Sequence, residues 1–233
     1  MRLAYIGVAT LLTVAFLLTL TPAVPGRCES MSPASPIQTI QLPEPRTDGD
    51  ISVEKALQAR RSVRSYKTDP LDLIEISQLL WSAQGITTAR GFRTAPSAGA
   101  LYPLELYVVA GRIENLSPAI YKYSPSQHAL LKIISGDKRT ELSRAALRQG
   151  AIRKAPAVLL FSAVYERTTG KYGHRGIRYV HMEVGHAAQN VCLQAIALGL
   201  HTAVIGAFQD EAVKEIARLP ANEQPLYFIP VGR

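Results

Sequence analysis

Apolar positions along this chain fall into three patterns, and each predicts a different kind of element. From Ile177 to Leu200, Val180, Val184, Ala187, Val191, Ala195 and Leu198 recur at three- and four-residue steps, which traces one face of a helix. This is the longest periodic run and predicts a central helix. A shorter helix is predicted from Ser52, an N-cap ahead of Val53, Ala56 and Leu57. Another runs from Asp69-Pro70 to about Trp81, with Leu71, Ile74, Leu79 and Leu80 on one side and Gly85 as its stop. Arg139 to Arg148 and Asp210 to Leu219 complete the helices. Continuous rather than periodic apolar runs mark Ala157 to Val164 and His201 to Gly206 as buried strands. Leu104 to Val109 and Leu226 to Val231 also read as strands, and Ala119 to Tyr123 pairs with Ala129 to Ile134 as a hairpin about Ser124-Pro125-Ser126. Ile86 to Tyr102 is a loop of small residues. Helices and strands intermix without a repeating strand-helix-strand unit, so the pattern predicts an α+β sandwich of one sheet against long helices.

The third pattern is the absence of charge. From Leu3 to Gly26 there is no Asp, Glu, Lys or Arg, a length that suits a membrane span or an export segment. Arg2 precedes it and Thr21-Pro22-Ala23 offers small residues for cleavage, so residues 1–26 read as a removed signal peptide or a retained signal anchor. Either places the rest of the chain on the extracytoplasmic face. Residues 27–50 read as a Pro/Ser-rich linker and 51–233 as the folded domain. With 16 Gly, 15 Pro and 2 Cys in 233 residues, collagen-like, disordered and disulfide-stapled classes are excluded. Cys28 lies in the spacer and Cys192 in an apolar helix, which disfavours a bridge between them.

Charge changes the picture once it is divided. Residues 1–50 hold Arg2, Arg27 and Arg46 against Glu29, Glu44, Asp48 and Asp50, so the net +8 of the chain becomes +9 beyond them. Most of that excess lies between Lys138 and Arg178, where ten basic residues meet only Glu141 and Glu166. A local basic surface suits an anionic ligand, and a solvated helix face with a basic loop accounts for the same residues. A nucleic-acid partner would rest on net charge alone, because the aromatic interleaving of a single-strand binder is missing.

Several familiar chemistries have no motif here. There is no G-x-G-x-x-G after a strand and no G-x-x-x-x-G-K-[ST]. Ala95-Pro96-Ser97-Ala98-Gly99 lacks the first glycine of a nucleophile elbow. His181 and His186 are five apart and diverge on a helix, so no metal site is expected.

Four segments do carry chemistry. In Arg60-Arg61-Ser62-Val63-Arg64, alternate residues Arg60, Ser62 and Arg64 share a face once the backbone extends, and two guanidinium forks with a hydroxyl can converge on one phosphate. A plain basic helix end explains the same residues. Thr94 to Pro103 is a series of small residues around Gly99 against which a flat ligand can lie. Val204 to Phe208 is a strand emptying into Gly206, where backbone N–H groups become free for a cofactor ring. The chain closes on Ile229 to Arg233, another strand ending in a lone arginine.

In this order the four segments resemble the FMN-dependent nitroreductase family, and within it the SagB-type dehydrogenases that oxidise azolines in peptides to thiazoles and oxazoles. The resemblance spans about Ile51 to Arg233 and includes Arg178-Tyr179, Glu183, Gly185 to Asn190 and Ala197 to Leu200. It implies a three-layer α+β sandwich of a mixed, mostly antiparallel sheet packed by long helices, and a homodimer binding FMN between protomers. It implies phosphate and ribityl contacts at Arg60, Ser62, Arg64 and Arg233. Pro96, Ser97, Ala98 and Gly99 would lie beside the isoalloxazine ring, and Ile205 and Gly206 would face its hydride-accepting nitrogen. The activity implied is ping-pong electron transfer through the flavin, with NAD(P)H as one donor, on a small-molecule or peptide substrate. A flavin can do this without a protein nucleophile; Tyr102, Tyr172 and His186 are the candidates for proton transfer near it. A membrane-tethered flavin- or peptide-binding module without turnover is the alternative. The longer C-terminal arm of many relatives does not follow Arg233, and the apolar N-terminal segment is unusual for SagB-type enzymes.

Overall fold

The computed structural model describes Met1 and residues 38–233, so the expected signal segment, and most of the expected linker, lie outside the described residues. The rest of the chain builds one sheet. Its strands are β1 (Thr39–Gln41), β2 (Leu104–Ala110), β3 (Ala119–Ser124), β4 (Ala129–Ser135), β5 (Ala157–Ala163), β6 (His201–Thr202) and β7 (Gln224–Gly232). They lie in the order β1-β4-β3-β2-β5-β7-β6, and every neighbouring pair is antiparallel. Among the described residues, parallel pairing occurs only at single-residue bridges, Ser62 to Thr202 and Leu71 to Ile113.

The helices are α1 (Val53–Ala59), α2 (Leu73–Gln84), α3 (Arg139–Ala145), α4 (Gly150–Lys154), α5 (Glu166–Tyr172), α6 (Arg175–Ala197) and α7 (Asp210–Ala217). Side chains alternate across a strand, and here both sides are covered. On β5, Ala157, Leu159, Phe161 and Ala163 join α2 and α6 in one core, while Val158 and Leu160 join α3, α4 and α7 in a second. Burial on both faces is why this segment reads as a continuous apolar run. Phe161 and Phe228 are fully buried, each contributing about 1.5–3 kcal/mol. The result is the expected three-layer α+β sandwich, with α6 along one layer.

The helix pattern needed several corrections. The second helix starts at Asp72 rather than Asp69, because Leu71 is held extended: its N–H donates to Arg112 O (3.1 Å) and its carbonyl accepts from Glu114 N–H (2.8 Å). Asp72 and Glu75 then form a reciprocal capping box. The buried face of α2 carries Ile76, Leu79, Leu80 and Ala83, whereas Ile74 is exposed. Asp72→Ala should therefore cost about 1 kcal/mol, which a thermal melt would show as a fall of about 2–4 °C. The predicted helix from Arg139 to Arg148 breaks after Ala145, where Leu147 and Arg148 take left-handed backbone. The expected strand from His201 to Gly206 shortens to two residues plus one bridge between Ile205 and Phe228. The expected linker 27–50 also needs correcting in its last part, since Thr39–Gln41 pairs with β4. Periodicity gave no sign of α5, whose Glu-Arg-Thr-Thr-Gly-Lys-Tyr is polar. The long helix ends at Ala197, three residues before the predicted Leu200: Gly199 takes φ +69°, and Leu200 N–H donates to Ala195 O (2.8 Å), closing the last turn.

Candidate functional site

Three of the four sequence segments meet at the β6 and β7 side of the sheet. After α1, Arg60 caps the helix by donating its N–H to Ala56 O (2.9 Å), and the chain then runs extended alongside β6. Val63 N–H donates to Thr202 O (2.9 Å), and Tyr66 Oη pins the segment by donating to Val63 O (2.8 Å) and Pro230 O (3.3 Å). Extension puts Arg60, Ser62 and Arg64 on alternate positions, as expected. Arg61 turns away, its Nη1 donating to Gln58 O and Arg60 O. Ser62 and Arg64 are exposed and Arg60 half-buried, and among the described residues neither Arg60 nor Arg64 forms an ion pair with a carboxylate. Two partnerless cations flanking a hydroxyl are the composition of an anion site. The thiol of Cys192 on α6 is free and buried; burial raises its pKa, while Thr202 and the Arg60 charge pull it back.

From Thr202 the chain runs four residues to Gly206. Ile205 exchanges both backbone hydrogen bonds with Phe228 (2.8 and 2.9 Å), so Gly206 is placed by the sheet. It is exposed at the rim of a cavity of about 570 Å3 lined also by Tyr165, His181, Val184, Phe208 and Tyr227. A Cβ at Gly206 would stand 3.2 Å from the Tyr227 ring, so a side chain here would crowd that rim. Tyr165 Oη and His181 Nε2 share a hydrogen bond of 2.7 Å within this cavity.

Arg233, expected at a phosphate, has partners within this chain. Its guanidinium forms an ion pair with Glu75 and donates to Pro70 O (2.6 Å). The cause is local: Lys67 N–H donates to Arg233 O, which carries the terminal residue past the start of α2, where Glu75 waits. Burial raises the pKa of the Glu75 carboxyl, the Asp72 backbone bond and the Arg233 charge lowering it again.

Pro96 to Gly99 form a second cluster, and among the described residues no hydrogen bond or ion pair joins it to Arg60–Arg64 or Gly206. Gly99 (φ +64°), Ala100 (φ 53°) and Tyr102 (φ 46°) all take left-handed backbone, strain that only glycine carries freely. The turn is held from behind. Ser97 Oγ accepts from Tyr102 N–H (2.9 Å), Tyr102 Oη accepts from Arg93 N–H (3.2 Å), and the Arg93 guanidinium lies over the Tyr102 ring at 4.5 Å. Arg93 also donates to Gln84 Oε1 (2.7 Å), and Asn190 of α6 donates to Thr94 O (3.3 Å). On the outer side, a Cβ at Gly99 would lie 2.8 Å from Tyr172 Oη and 3.1 Å from Lys171 Nζ. Tyr172 and Tyr102 thus border the turn, while His186 is exposed on α6. Lys171 and Glu183 were not singled out as candidates for chemistry. The sequence reading reaches Lys171 only as one member of the basic stretch Lys138–Arg178 and as the neighbour of Tyr172, and the polar sequence of α5 carries no helical signal.

Glu183 faces the same turn from α6. It is 3% exposed, and among the described residues its Oε1 has no hydrogen-bond partner. Burial pushes its pKa up to about 7, against the pull of Ser97 and of the Arg93 charge. The basic stretch Lys138–Arg178, expected as one surface, is divided by the sheet: Arg144, Arg153 and Lys154 belong to the α3 and α4 layer, while Arg167, Lys171, Arg175 and Arg178 belong to α5 and α6. Arg139 is buried against Asp137 and Ala155 O.

The chain is similar to known proteins in sequence and fold. Residues 57–233 match the profile described as the nitroreductase family. A nitroreductase-like protein of Methanocaldococcus jannaschii is 50% identical over 194 residues, covering 83% of this chain and 96% of its own. The microcin B17-processing protein McbC of Escherichia coli is 30% identical over 134 residues, 54% of this chain and 48% of its own, so the chain spans about half of that relative. Among solved structures, a nitroreductase-like protein of Anabaena variabilis superposes with a TM-score of 0.75 at 29% identity, over 84% of this chain and 42% of that chain.

Proposed function

The chain belongs to the nitroreductase family, and from that premise we propose that it is an FMN-dependent oxidoreductase acting on a small-molecule or peptide substrate. The observation that carries the reading is the pair of arginines, Arg60 and Arg64, which among the described residues have no carboxylate partner around Ser62 and are tied through Thr202 to Gly206. Those residues fit a phosphate tail followed by a flat ring at a glycine. When bound, FMN would supply two-electron chemistry, loaded by a donor such as NAD(P)H and discharged to an acceptor in a ping-pong cycle.

The protein's part is to bind, orient and move protons. Arg60 and Arg64 would neutralise the phosphate, Ser62 would offer a hydroxyl to the adjoining polar chain, and the backbone at Ile205 and Gly206 would face the ring. Pro96 to Gly99 cluster apart from these within one chain, which supports a homodimer in which each protomer lends this turn to its partner's flavin. Exposed Val53, Leu57 and Ile74 on α1 and α2 are apolar surface available for such a contact. Lys171 Nζ and Tyr172 Oη, both at Gly99, are placed to give or take a proton from a substrate there. A peptide substrate is supported by the likeness to McbC and to SagB-type dehydrogenases. Export of the domain rests on the charge-free stretch Leu3–Gly26; among the described residues no helix is long and apolar enough to cross a membrane.

The test is the visible spectrum of the purified protein. Flavin absorption that bleaches anaerobically with a donor and returns with an acceptor is the expected outcome. A colourless protein that binds no added FMN overturns the reading.

A further inference from the structure

The cavity beside Gly206 has a chemistry that the phosphate contacts at Arg60 and Arg64 do not use. Its volume of about 570 Å3 suits a small organic molecule, for which sites span about 300–1,000 Å3. Val184 of α6, Phe208 of the loop after Gly206, and Leu226 and Tyr227 of β7 give it apolar and aromatic walls. Tyr165 at the start of α5 and His181 on α6 give it a polar pair. We propose that this cavity binds an aromatic ring that carries a hydroxyl group and no negative charge, with the hydroxyl met by the Tyr165–His181 pair. That the cavity adjoins a flavin rests on the proposed function; its walls and its polar pair do not.

The walls fit a ring. Phe208 stands edge-on to the buried Phe228, with ring centroids 5.1 Å apart and planes at 70°, so it is fixed as one side of the cavity. Tyr227 stands opposite Gly206, 3.2 Å from where a Cβ would be, so only glycine leaves this rim open. Aromatic walls favour an aromatic guest through edge-to-face and offset contacts.

The pair fits a hydroxyl. Tyr165 Oη and His181 Nε2 are 2.7 Å apart, with the two rings edge to face at 5.8 Å. If Tyr165 donates to His181, its oxygen keeps a lone pair for a guest hydrogen; if His181 donates, Tyr165 keeps a hydrogen to give. Either tautomer therefore suits a hydroxyl, which both donates and accepts. Burial, followed by the Asp210 charge, raises the Tyr165 pKa, so its hydroxyl keeps the proton at neutral pH.

Charge sets the remaining preference. Asp210, at the start of α7, lines the cavity and has no ion-pair partner among the described residues. No lysine or arginine lines it, so an anion there would meet repulsion from Asp210 and no counter-charge. Gln224 is engaged by Lys214 Nζ (3.5 Å), which also pairs with Glu211 (3.4 Å). The anion belongs at Arg60 and Arg64, and an uncharged ring belongs here. A clasp between α5 and α6 would account for the Tyr165–His181 bond, but not for the unpaired Asp210 or the open rim at Gly206.

Titrations of the full chain, followed by protein NMR with and without FMN, separate these roles. The probe is p-cresol; toluene is its counterpart without the hydroxyl, and 4-hydroxybenzoate its counterpart with a negative charge. The wild type should bind p-cresol about tenfold more tightly than toluene and about tenfold more tightly than 4-hydroxybenzoate. Tyr165→Phe keeps the ring, so p-cresol should weaken about tenfold and toluene should stay level. Asp210→Asn should bring 4-hydroxybenzoate to within about twofold of p-cresol. Loss of a clasp alone would not move the ratio of p-cresol to toluene. Should Tyr165→Phe not fold, His181→Leu at its exposed position decides, with that ratio expected to fall about threefold. Equal binding of p-cresol and toluene to the wild type, or a ratio unchanged in these variants, overturns the proposal. So does competitive displacement of p-cresol by FMN, because the cavity would then be the position of the flavin ring itself. A Tyr165-dependent p-cresol site in a chain that binds no FMN would overturn the flavin reading and leave this one standing.

Discussion

Replacing Glu223 by leucine is expected to remove about 3–5 kcal/mol of stability, the cost of breaking a buried ion pair from one side. Glu223 sits just before β7 and is 2% exposed. Its Oε2 accepts from Tyr107 Oη and Ser162 Oγ, both at 2.7 Å, and its Oε1 accepts from Lys122 Nζ at 2.8 Å. One carboxylate therefore satisfies groups from β2, β5 and β3 inside the second core. Leucine would strand both hydroxyls and take away one of the two counter-charges of Lys122. Burial, followed by the nearby Glu223 charge, pushes the Tyr107 phenol pKa up, so this hydroxyl remains a donor. Glu223→Gln should cost much less, because it keeps the acceptor and Glu105 still pairs with Lys122 at 3.0 Å. Urea denaturation checks the order; equal losses in both variants would refute the role of the retained acceptor and assign the whole cost to the lost charge. The network also reaches the site: Glu105 pairs with Arg167, which donates to Tyr102 O (3.0 Å) at the end of the Pro96 turn.

The sheet and the long helix were legible because each has a periodic or continuous apolar signature that two packed layers enforce. Ala157–Ala163 and Arg175–Ala197 lie almost where the pattern places them. Elements held by polar or tertiary contacts were not legible. α5 has no apolar stripe, β1 is three residues fixed by pairing with β4, and Leu71 is extended only because Arg112 and Glu114 bond its backbone. The site divides in the same way. Arg60, Ser62 and Arg64 could be read as sharing a face because extension follows directly from the end of a helix. The pairing of Arg233 with Glu75, over 158 residues of sequence, could not be read, and neither could the burial of Glu183 on α6. Both depend on which loops the fold brings beside α2 and α6.

Those arginines carry the second large effect. Each hydrogen bond to a charged group is worth about 1.5–3 kcal/mol, so Arg60→Ala together with Arg64→Ala should weaken FMN binding by about 3–6 kcal/mol, or roughly a hundredfold to ten-thousandfold. Neither guanidinium pairs with a carboxylate among the described residues, and Arg64 is exposed, so stability should change by only about 0.5 kcal/mol for each. That separation distinguishes lost binding from lost folding. Arg61→Ala is the control within the same cluster, since its guanidinium is spent on Gln58 O and Arg60 O and should leave affinity within about twofold. Arg233→Ala separates the sequence expectation from the structure. If Arg233 serves the phosphate, its loss should match that of Arg64; if it serves Glu75, as its ion pair indicates, affinity should hold while the melting temperature drops. Quenching of flavin fluorescence at two salt concentrations measures the wild type and all three variants. Wild-type affinity should fall with salt, and the double variant should lose most of that dependence, because exposed charge interactions are screened over about 10 Å at 0.1 M. A double variant with wild-type affinity would move the phosphate away from Arg60 and Arg64 altogether.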